Sequence, residues 1–357
     1  MTDTASFATR LVRWQRSHGR HDLPWQVSDP YRVWLSEIML QQTQVATVIP
    51  YYQRFTESFP TVADLAAAPL DAVLAHWAGL GYYTRARNLH AAARKVVSDF
   101  GGVFPTTAES IETLPGVGRS TAAAIAGFCF GERTPILDGN VKRVLTRWAG
   151  IAGFPGEKKV ENQLWLLAET ILPKDSGDMP AFTQGLMDLG ASLCSRSKPQ
   201  CPACPLRQDC RAHIEGRTAE LPTRKTKKAV PERETVMLLL QQGEQLLLER
   251  RPAVGIWGGL WSLPEADSVE TAVALAQARY GLMAEPLATL PALVHTFTHF
   301  KLTITPLPLE VTAQSPAVRE GDWAWFSRAD ALKAGIPTPV RKLLLAKPAA
   351  QAELFEA

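Results

Sequence analysis

The sequence predicts a chain in two parts, an all-α part followed by an α+β part. Residues 5–192 carry apolar positions spaced by three and four, in short segments broken by Pro and Gly, which is typical of a helical body. Beyond residue 233, apolar runs flank a Gln-Gly turn, which signals a β-hairpin. Four of the five cysteines lie within seventeen residues between these parts. With 357 residues, the chain is long enough for more than one core.

The charge is divided unequally between the two parts. Residues 1–228 carry 27 Lys and Arg against 21 Asp and Glu, whereas residues 229–357 carry 11 against 14. We therefore expect the first part to meet a polyanion. The sequence has no run of eighteen apolar residues, and residues 1–20 are polar and charged. These features predict a cytoplasmic protein with no membrane span and no secretory signal.

The first informative helix is predicted over residues 31–45. Glu37 and Gln41 lie one turn apart, off the apolar stripe of that helix. A single Glu in this place is most often a solvated surface residue. The amides of Gln41, Gln42 and Gln44 have a second interpretation, because amide side chains can read base edges.

Paired tyrosines follow between glycines in residues 77–87. Tyr82 and Tyr83 precede Arg85 and Arg87, and a wedging ring beside phosphate-binding cations suits the edge of a nucleic-acid site. A corner between two helices with a tyrosine packed inward explains the pattern almost as well. Both interpretations stay open.

Residues 114–143 combine a glycine hairpin with a carboxylate at a helix start. Gly116 and Gly118 flank a turn before an apolar helix, so backbone N–H groups and the positive helix end face one anion site. Asp138 lies two residues before Asn140, the predicted N-cap of the next helix. Taken separately, the two pieces are more often a tight interhelical turn and a capped helix.

The cysteine cluster follows a helix predicted over residues 180–193. Thiols at this density favour a metal or an iron–sulfur centre over disulfides in a cytosolic chain, but the spacing does not choose between zinc and a four-iron cluster. Cys129, in an apolar helix, is predicted to be a buried core thiol. The clustered residues are Cys194, Cys201, Cys204 and Cys210.

The remaining chain is predicted to be a linker and a second domain. Four of the five residues 224–228 are basic, which suits either a phosphate backbone or a solvated charge run. Strands are predicted at 236–240, 246–248, 295–304 and 322–326, with helices near 269–280 and 338–346.

Four segments together resemble the MutY-type adenine DNA glycosylases. These are helix-hairpin-helix glycosylases of the endonuclease III superfamily with an iron–sulfur loop and a MutT-like, Nudix-fold C-terminal domain. The matching segments are 36–45, 114–121, 136–143 and the cysteine spacing, in the family's order. The resemblance implies an all-α glycosylase domain over 1–214 that includes the cluster loop 194–210, a basic linker over 215–233 and a Nudix-like lesion-recognition domain over 234–350.

The implied activity is excision of adenine mispaired with 8-oxoguanine or guanine in double-stranded DNA. The resemblance also implies a [4Fe-4S] cluster on the four cysteines and a monomer in the bacterial cytoplasm and nucleoid. Glu37 would be the general acid that protonates the adenine ring, and Asp138 would stabilise the cationic sugar. Cleavage of the glycosidic bond requires both a general acid and an anion. A purine leaves poorly until it is protonated, and an oxocarbenium-like sugar needs a nearby negative charge. Apolar neighbours are expected to keep Glu37 protonated, and the helix dipole to keep Asp138 ionised.

Ser120 stands where lyase members of the superfamily carry a Schiff-base lysine, so the resemblance favours removal of the base without strand cleavage. Lys142, nearby in sequence, could give weak strand cleavage. Further implied roles are a duplex wedge for Gln42 and Tyr82, a contact with the oxidised guanine for Thr43, support of Asp138 for Asn140, and phosphate binding for Gly116 and Gly118.

The lesion-reading loop of the family commonly has the sequence Phe-Ser-His and here is Phe297-Thr298-His299. The extra methyl group of Thr298 predicts a less snug fit to the lesion.

Nudix hydrolases need several carboxylates on one helix to share divalent cations, whereas residues 268–279 contain one Glu. We therefore expect no hydrolase activity.

Two other functions remain open. An endonuclease III-like pyrimidine lyase would share the hairpin, Asp138 and the cysteines, but would lack support at position 120. A DNA-binding protein without enzymatic activity would keep the hairpin and the basic faces without needing both Glu37 and Asp138.

Overall fold

The computed structural model describes residues 4–225, 230–314 and 322–346. Contacts divide the chain into two compact units. The first unit is Met1–Ala67 with Asn88–Lys227, and the second is Ala68–Arg87 with Lys228–Ala357. Residues 226–229, which hold most of the predicted basic run, lie outside the described residues.

The described residues before 226 form helices and no strand, as the apolar periodicity predicts. Among these helices and those that follow, none has the length and apolar character needed to cross a membrane. Two short 3-10 helices occur at Ser176–Asp178 and Cys201–Ala203. The α-helices are α1 Thr4–His18, α2 Pro30–Leu40, α3 Val45–Ser58, α4 Val62–Ala67, α5 Leu70–Trp77, α6 Thr84–Phe100, α7 Ala108–Glu112, α8 Arg119–Phe130, α9 Gly139–Ala149, α10 Lys158–Thr170, α11 Met179–Ala191 and α12 Arg211–Ile214.

The core of the first unit packs α1, α8, α9, α10 and α11 together. Phe7, Trp148 and Phe182 are at most 1 % exposed, and the ring of Phe7 meets both others edge-on. Gly190 lets α11 approach α9 closely, because a Cβ there would lie 2.7 Å from the Cβ of Asn140. This packing fixes the start of α9 against α11.

Helix α2 ends earlier than the sequence predicts. The predicted helix over 31–45 stops at Leu40, and residues 41–44 form a turn before α3. Gln42 has a positive φ of 58°, which no α-helix accommodates. The glutamine run therefore lies on a turn instead of a helix face.

The sequence also predicts two capping boxes, one at Thr61 with Asp64 and one at Thr106 with Glu109. The capping box of Thr61 and Asp64 is present, with reciprocal hydrogen bonds of 3.0 and 3.2 Å. The one predicted at Thr106 and Glu109 is wrong by one residue, because Thr107 caps α7 by accepting the Ser110 N–H.

The second unit contains an eight-stranded sheet in its described residues, with the path β3-β2-β1-β7-β5. β1 and β7 are parallel, from Glu232 opposite Lys301 to Gln241 opposite Glu310, and the other pairs are antiparallel. The strands are β1 Glu232–Gln242, β2 Gln245–Arg250, β3 Trp261–Ser262, β4 Glu265–Ala266, β5 Leu282–Pro286, β6 Leu293–Thr296, β7 Lys301–Gln314 and β8 Trp323–Ser327; the helices are α13 Ala272–Tyr280, α14 Arg328–Lys333 and α15 Thr338–Leu345.

The predicted fold class, helical and then α+β, is confirmed. One strand prediction is wrong. The run 295–304 is not one strand but the end of β6, a turn at 297–300 and the start of β7. The Phe297 N–H donates to the Phe300 carbonyl at 2.8 Å and closes that turn. The run 295–304 contains no Gly or Pro that would mark the turn in the sequence.

Candidate active site

Helix α9 begins directly after Asp138, and the side chain of Asp138 caps it. The backbone of Asp138 is extended, and its Oδ1 accepts the N–H of Val141 at 2.7 Å. The prediction of Asn140 as the N-cap is wrong by two residues, because an Asp caps a helix as well as an Asn and its carboxylate reaches the third N–H. The cap holds the carboxylate at the positive end of α9.

Ser120 holds the segment that leads into Asp138. It lies in the first turn of α8, and its Oγ accepts the N–H of Leu137 at 2.9 Å. Leu137 is the residue immediately before Asp138, so this hydrogen bond fixes the approach of the chain to the capping carboxylate. The contact of Ser120 therefore positions the segment that leads into Asp138.

A cavity of ≈ 860 Å³, here cavity B, brings three of the predicted segments together. Its wall combines the glutamine turn, the first turn of α8 and the start of α9 with Glu37 of α2. Predicted site residues among its lining are Glu37, Gln41, Gln42, Thr43, Ser120, Asp138 and Asn140.

Glu37 also lines a second cavity of ≈ 510 Å³, here cavity A. Apolar side chains such as Trp25, Leu40 and Phe128 line cavity A beside it. Burial, and then the nearby charge of Asp138, raise the pKa of Glu37 from 4.5 to about 8. The interpretation of Glu37 as a solvated surface residue does not fit this environment.

Asp138 meets a different set of neighbours. Burial raises its pKa, but the backbone N–H groups of Val141 and Asn140 and the charges of Arg143 and Lys142 act in the opposite direction. The factors on Glu37 both raise its pKa. This asymmetry favours the protonated form at Glu37 and the ionised form at Asp138. The arrangement can therefore offer a proton and an anion at neutral pH.

Arg20 and Gln184, which line these cavities, and the buried Asp188 that binds both were not predicted from the sequence. Asp188 of α11 is 2 % exposed and accepts from the Nε of Arg20 at 2.7 Å and from Gln184 at 2.8 Å. Arg20 lines both cavities, and Gln184 lines cavity A. A carboxylate between Met187 and Leu189, within a helix predicted to be buried, was the available signal, since buried charges are paired.

Backbone strain coincides with the predicted duplex wedges. Among the described residues other than glycine, positive φ angles occur at Gln42 (58°), Tyr82 (50°) and Trp257 (55°). Such conformations cost about 1–3 kcal/mol each and concentrate at functional sites. Gln42 and Tyr82 were selected from the sequence for a wedge role, and Trp257 was not.

The glycine hairpin has the geometry that the sequence predicts. Gly118 caps α8 with an extended backbone, and Gly116 has a φ of +76°. A Cβ on Gly116 would lie 2.7 Å from the Cβ of Asn88, whereas a Cβ on Gly118 would meet no atom within 4 Å. The turn between α7 and α8 therefore requires glycine at 116 and tolerates a side chain at 118.

In the second unit, the predicted lesion loop and Tyr82 line one cavity of ≈ 600 Å³, here cavity C. Phe297 stacks on Phe300 with ring centroids 4.5 Å apart, and Trp257 packs against Phe297 at 5.4 Å. These contacts hold the turn and leave Thr298 and His299 exposed. Tyr82 is 42 % exposed.

Arg85 and Arg87, which follow Tyr82, both donate hydrogen bonds to backbone carbonyls of the protein. Arg85 donates to the carbonyls of Leu80 and Gly81 and lies over the Tyr82 ring at 5.5 Å. Arg87 donates to the carbonyl of Gly258 in the same unit. Both arginines therefore help to hold the tyrosine turn.

The four clustered cysteines line one cavity of ≈ 30 Å³, here cavity D. Arg147 of α9 donates to the carbonyls of Ser195 and Arg196 and lies 3.4 Å from the Sγ of Cys194. Within the described ranges, no set of three His, Cys, Asp or Glu side chains is grouped closely enough to hold a metal ion. The donor set, four thiols around one cavity, suits an iron–sulfur cluster or zinc. Cys129, predicted to be a buried core thiol, is only partly buried in α8, because it lies near the exposed end of that helix at Phe130.

Known proteins resemble both parts of the chain. The family model of the HhH-GPD superfamily base excision DNA repair proteins matches residues 35–170, and a NUDIX domain model matches residues 235–346. An adenine DNA glycosylase of Buchnera aphidicola subsp. Acyrthosiphon pisum is 36% identical over 340 residues, which cover 95% of this chain and 96% of the relative. The adenine DNA glycosylase of Homo sapiens is 35% identical over 408 residues, covering 96% of this chain and 74% of the human protein.

A solved structure of a thermostable thymine-DNA glycosylase shares the helical part. Its TM-score is 0.53 at 30% identity, and the match covers 59% of this chain and 97% of that protein.

Proposed function

We propose that this chain, which belongs to the adenine DNA glycosylases of the HhH-GPD base excision DNA repair superfamily, excises adenine mispaired with 8-oxoguanine or guanine. The observation that carries the proposal is that Glu37 lines both cavities A and B, whereas Asp138 lines cavity B, and that the two carboxyl groups meet unequal environments. The domain boundaries proposed for this activity are 1–214, 215–233 and 234–350.

Cavity A is the proposed site for the flipped adenine. A base inside a duplex is out of reach, so it must leave the stack, at a cost of a few kcal/mol that a mispair reduces. Trp25 and Phe128 offer the apolar surface that a purine ring needs, and Gln184 offers an amide held in place by Asp188. Glu37 then faces the base from one side of the cavity.

The proposed reaction divides the work between two carboxyl groups. Glu37 donates its proton to the adenine ring, which makes the base a better leaving group as the glycosidic bond breaks. Asp138 faces the sugar from cavity B and stabilises the positive charge that develops there. Asn140 supports it through its backbone N–H.

DNA contacts are proposed at the two glycines of the hairpin, the glutamine turn and Tyr82. The backbone of Gly116 and Gly118 opens toward the N-terminus of α8, which suits a phosphate. Gln42, at its strained turn, is proposed to fill the gap that the flipped base leaves, with Gln41 beside it and Thr43 at the opposite base. Tyr82 is proposed as a further wedge in the duplex.

Cavity C is the proposed reader of the oxidised guanine. The turn 297–300 exposes the hydroxyl group of Thr298 and the ring of His299 at its tip, supported by stacked aromatic rings. Both groups can hydrogen-bond the edge of a modified purine. The methyl group of Thr298 adds bulk there.

Cys194, Cys201, Cys204 and Cys210 are proposed to hold a [4Fe-4S] cluster, for which the four thiols around cavity D are the support. When bound, the cluster would supply a rigid centre that ties residues 194–210 together. We expect the purified protein to be brown, with the broad visible absorbance of a [4Fe-4S] protein. A colourless protein with one equivalent of zinc would contradict this assignment.

The experiment that tests the proposed function compares three duplexes, with adenine opposite 8-oxoguanine, adenine opposite guanine and an oxidised pyrimidine. We expect base release from the first two, and strand breaks from them after alkali treatment. Rapid cleavage of the oxidised-pyrimidine duplex without alkali would instead identify a pyrimidine lyase.

A further inference from the structure

Lys142 is held by an ion pair next to the proposed sugar site. It lies in the first turn of α9, and its Nζ donates to Oε1 of Glu161 in α10 at 2.7 Å. The two side chains are 24% and 28% exposed, so the pair is partly shielded from water. The charge of Lys142 lies near enough to lower the pKa of Asp138, although burial raises it overall.

The pair directs Lys142 away from cavity B. Residues i and i+4 share a helix face, so the position of Lys142 lies one turn along from Asp138. Asn140 and Arg143, its neighbours in sequence, line cavity B, whereas Lys142 is not among the described residues that do. Glu161, on the other helix, accounts for this direction.

The position matters because of what base removal leaves behind. An abasic sugar opens to an aldehyde at C1′, and a neutral amine can attack that carbon. A C–N bond forms, and the carbinolamine loses water to give a Schiff base. A C2′ proton then passes to water, and its C–H electron pair forms a C2′–C3′ double bond as the C3′–O bond breaks and its electron pair leaves with the phosphate. Ser120 has no amine for this attack, but Lys142 has one on a long, flexible stem.

We infer that Glu161 restrains Lys142 and thereby keeps the enzyme from cutting the strand after it removes the base. Glu161 is a positioning residue here, since it acts through Lys142 and does not touch the sugar. The inference rests on the proposed placement of the sugar at cavity B. An ammonium group engaged by a carboxylate lacks the lone pair that attack requires.

The test uses DNA that already contains an abasic site opposite 8-oxoguanine, with borohydride to reduce any Schiff base to a stable secondary amine. Glu161→Gln keeps the side-chain shape and removes the charge. We expect it to raise the yield of trapped adduct about fivefold over wild type, the factor that corresponds to losing a pair worth ~1 kcal/mol. Strand breaks without alkali should rise in parallel.

Three companion variants make the result specific. The double variant Lys142→Ala with Glu161→Gln should return trapping to the wild-type level or below. Glu161→Asp keeps the carboxylate and should stay within about twofold of wild type. Glu169→Gln is the matched control, since it removes the exposed pair with Arg119, 2.9 Å apart, from the same helix α10. It should not change trapping.

An unchanged yield in Glu161→Gln would overturn the inference, and so would an increase that persists without Lys142 or that Glu161→Asp shows equally. Adenine release from an intact mispair is measured beside trapping for every variant. The trapping substrate already contains an abasic site, so trapping does not depend on adenine release. The role of Glu161 is therefore tested even if the protein does not release adenine.

Discussion

Glu37 and Asp138 show how two identical functional groups take different roles through their neighbours. Glu37 meets apolar side chains and a carboxylate, whereas Asp138 meets two backbone N–H groups and two cations. Burial raises the pKa of both groups, but only at Asp138 do neighbouring donors and cations act against it. The sequence pattern suggested the roles that we propose for these residues, but the cavities that create the difference come from segments far apart in sequence.

The pKa of Glu37 predicts the alkaline limb of the pH profile. A general acid with a pKa of about 8 loses its proton above that pH, so the single-turnover rate of adenine release should fall about tenfold per pH unit there. The measurement is a rate profile from pH 6 to 10 at saturating enzyme. Glu37→Gln should show a low rate without this limb, and a wild-type rate that holds steady to pH 10 would contradict the assignment.

The same shift predicts how stability changes with pH. The folded state keeps the Glu37 proton up to about pH 8, whereas an unfolded chain loses it near 4.5. This contribution is complete below 4.5 and lost as the pH rises through 8. The melting temperature of wild type should therefore fall relative to that of Glu37→Gln over this interval. Parallel melting curves would contradict the buried, protonated state.

At the scale of elements, the turn between α7 and α8 offers a matched pair of substitutions. Gly116→Ala places a methyl group 2.7 Å from the Cβ of Asn88 at a positive φ, whereas Gly118→Ala meets open space. We expect Gly116→Ala to weaken DNA binding about tenfold and to cost about 1–3 kcal/mol of stability. Gly118→Ala should change binding less than about threefold. Equal effects of the two would contradict the steric argument.

Helix α13 predicts that the sheet domain does not hydrolyse nucleotides. The helix spans Ala272–Tyr280 and carries no Asp or Glu, since Glu270 lies before its first residue. Two nearby carboxylates are paired, Glu249 with Arg279 at 2.8 Å and Glu265 with Arg251 at 2.5 Å. Incubation of the full chain with 8-oxo-dGTP and Mg²⁺ should release no pyrophosphate or phosphate. Turnover that Glu249→Gln abolishes would contradict this.

Sequence reasoning reached the elements better than their junctions. Periodicity located α9 and α11, because a buried helix face must repeat at three and four residues. The predicted α2 was too long, since it extended to Val45, and β6 and β7 were predicted as one strand. Both errors arose because the turns at 41–44 and 297–300 contain no Gly or Pro. The strain at Gln42 and the pairing of Asp188 with Arg20 depend on tertiary contacts that local patterns do not encode.

At the scale of the whole molecule, the helical unit supplies the proposed chemistry and the sheet unit the proposed lesion reading. The sequence predicted this division from its change of periodicity and charge near residue 230. It did not predict that residues 68–87, with Tyr82, would group with the sheet unit, because that assignment rests on contacts between distant segments. Arg143 and Arg147 of α9 hold the cysteine loop through backbone carbonyls, so one helix serves both the capping carboxylate and the thiols.

The role proposed for Asp138 in stabilising the sugar cation is tested most directly in the variant Asp138→Asn. DNA binding and adenine release are measured together, with adenine opposite 8-oxoguanine. Asn keeps the cap to the Val141 N–H but removes the charge. We predict binding within about threefold of wild type and a single-turnover rate lower by about 10²–10³. A rate within tenfold of wild type, or a loss of activity that follows a loss of binding, would contradict a role for Asp138 in stabilising the sugar cation.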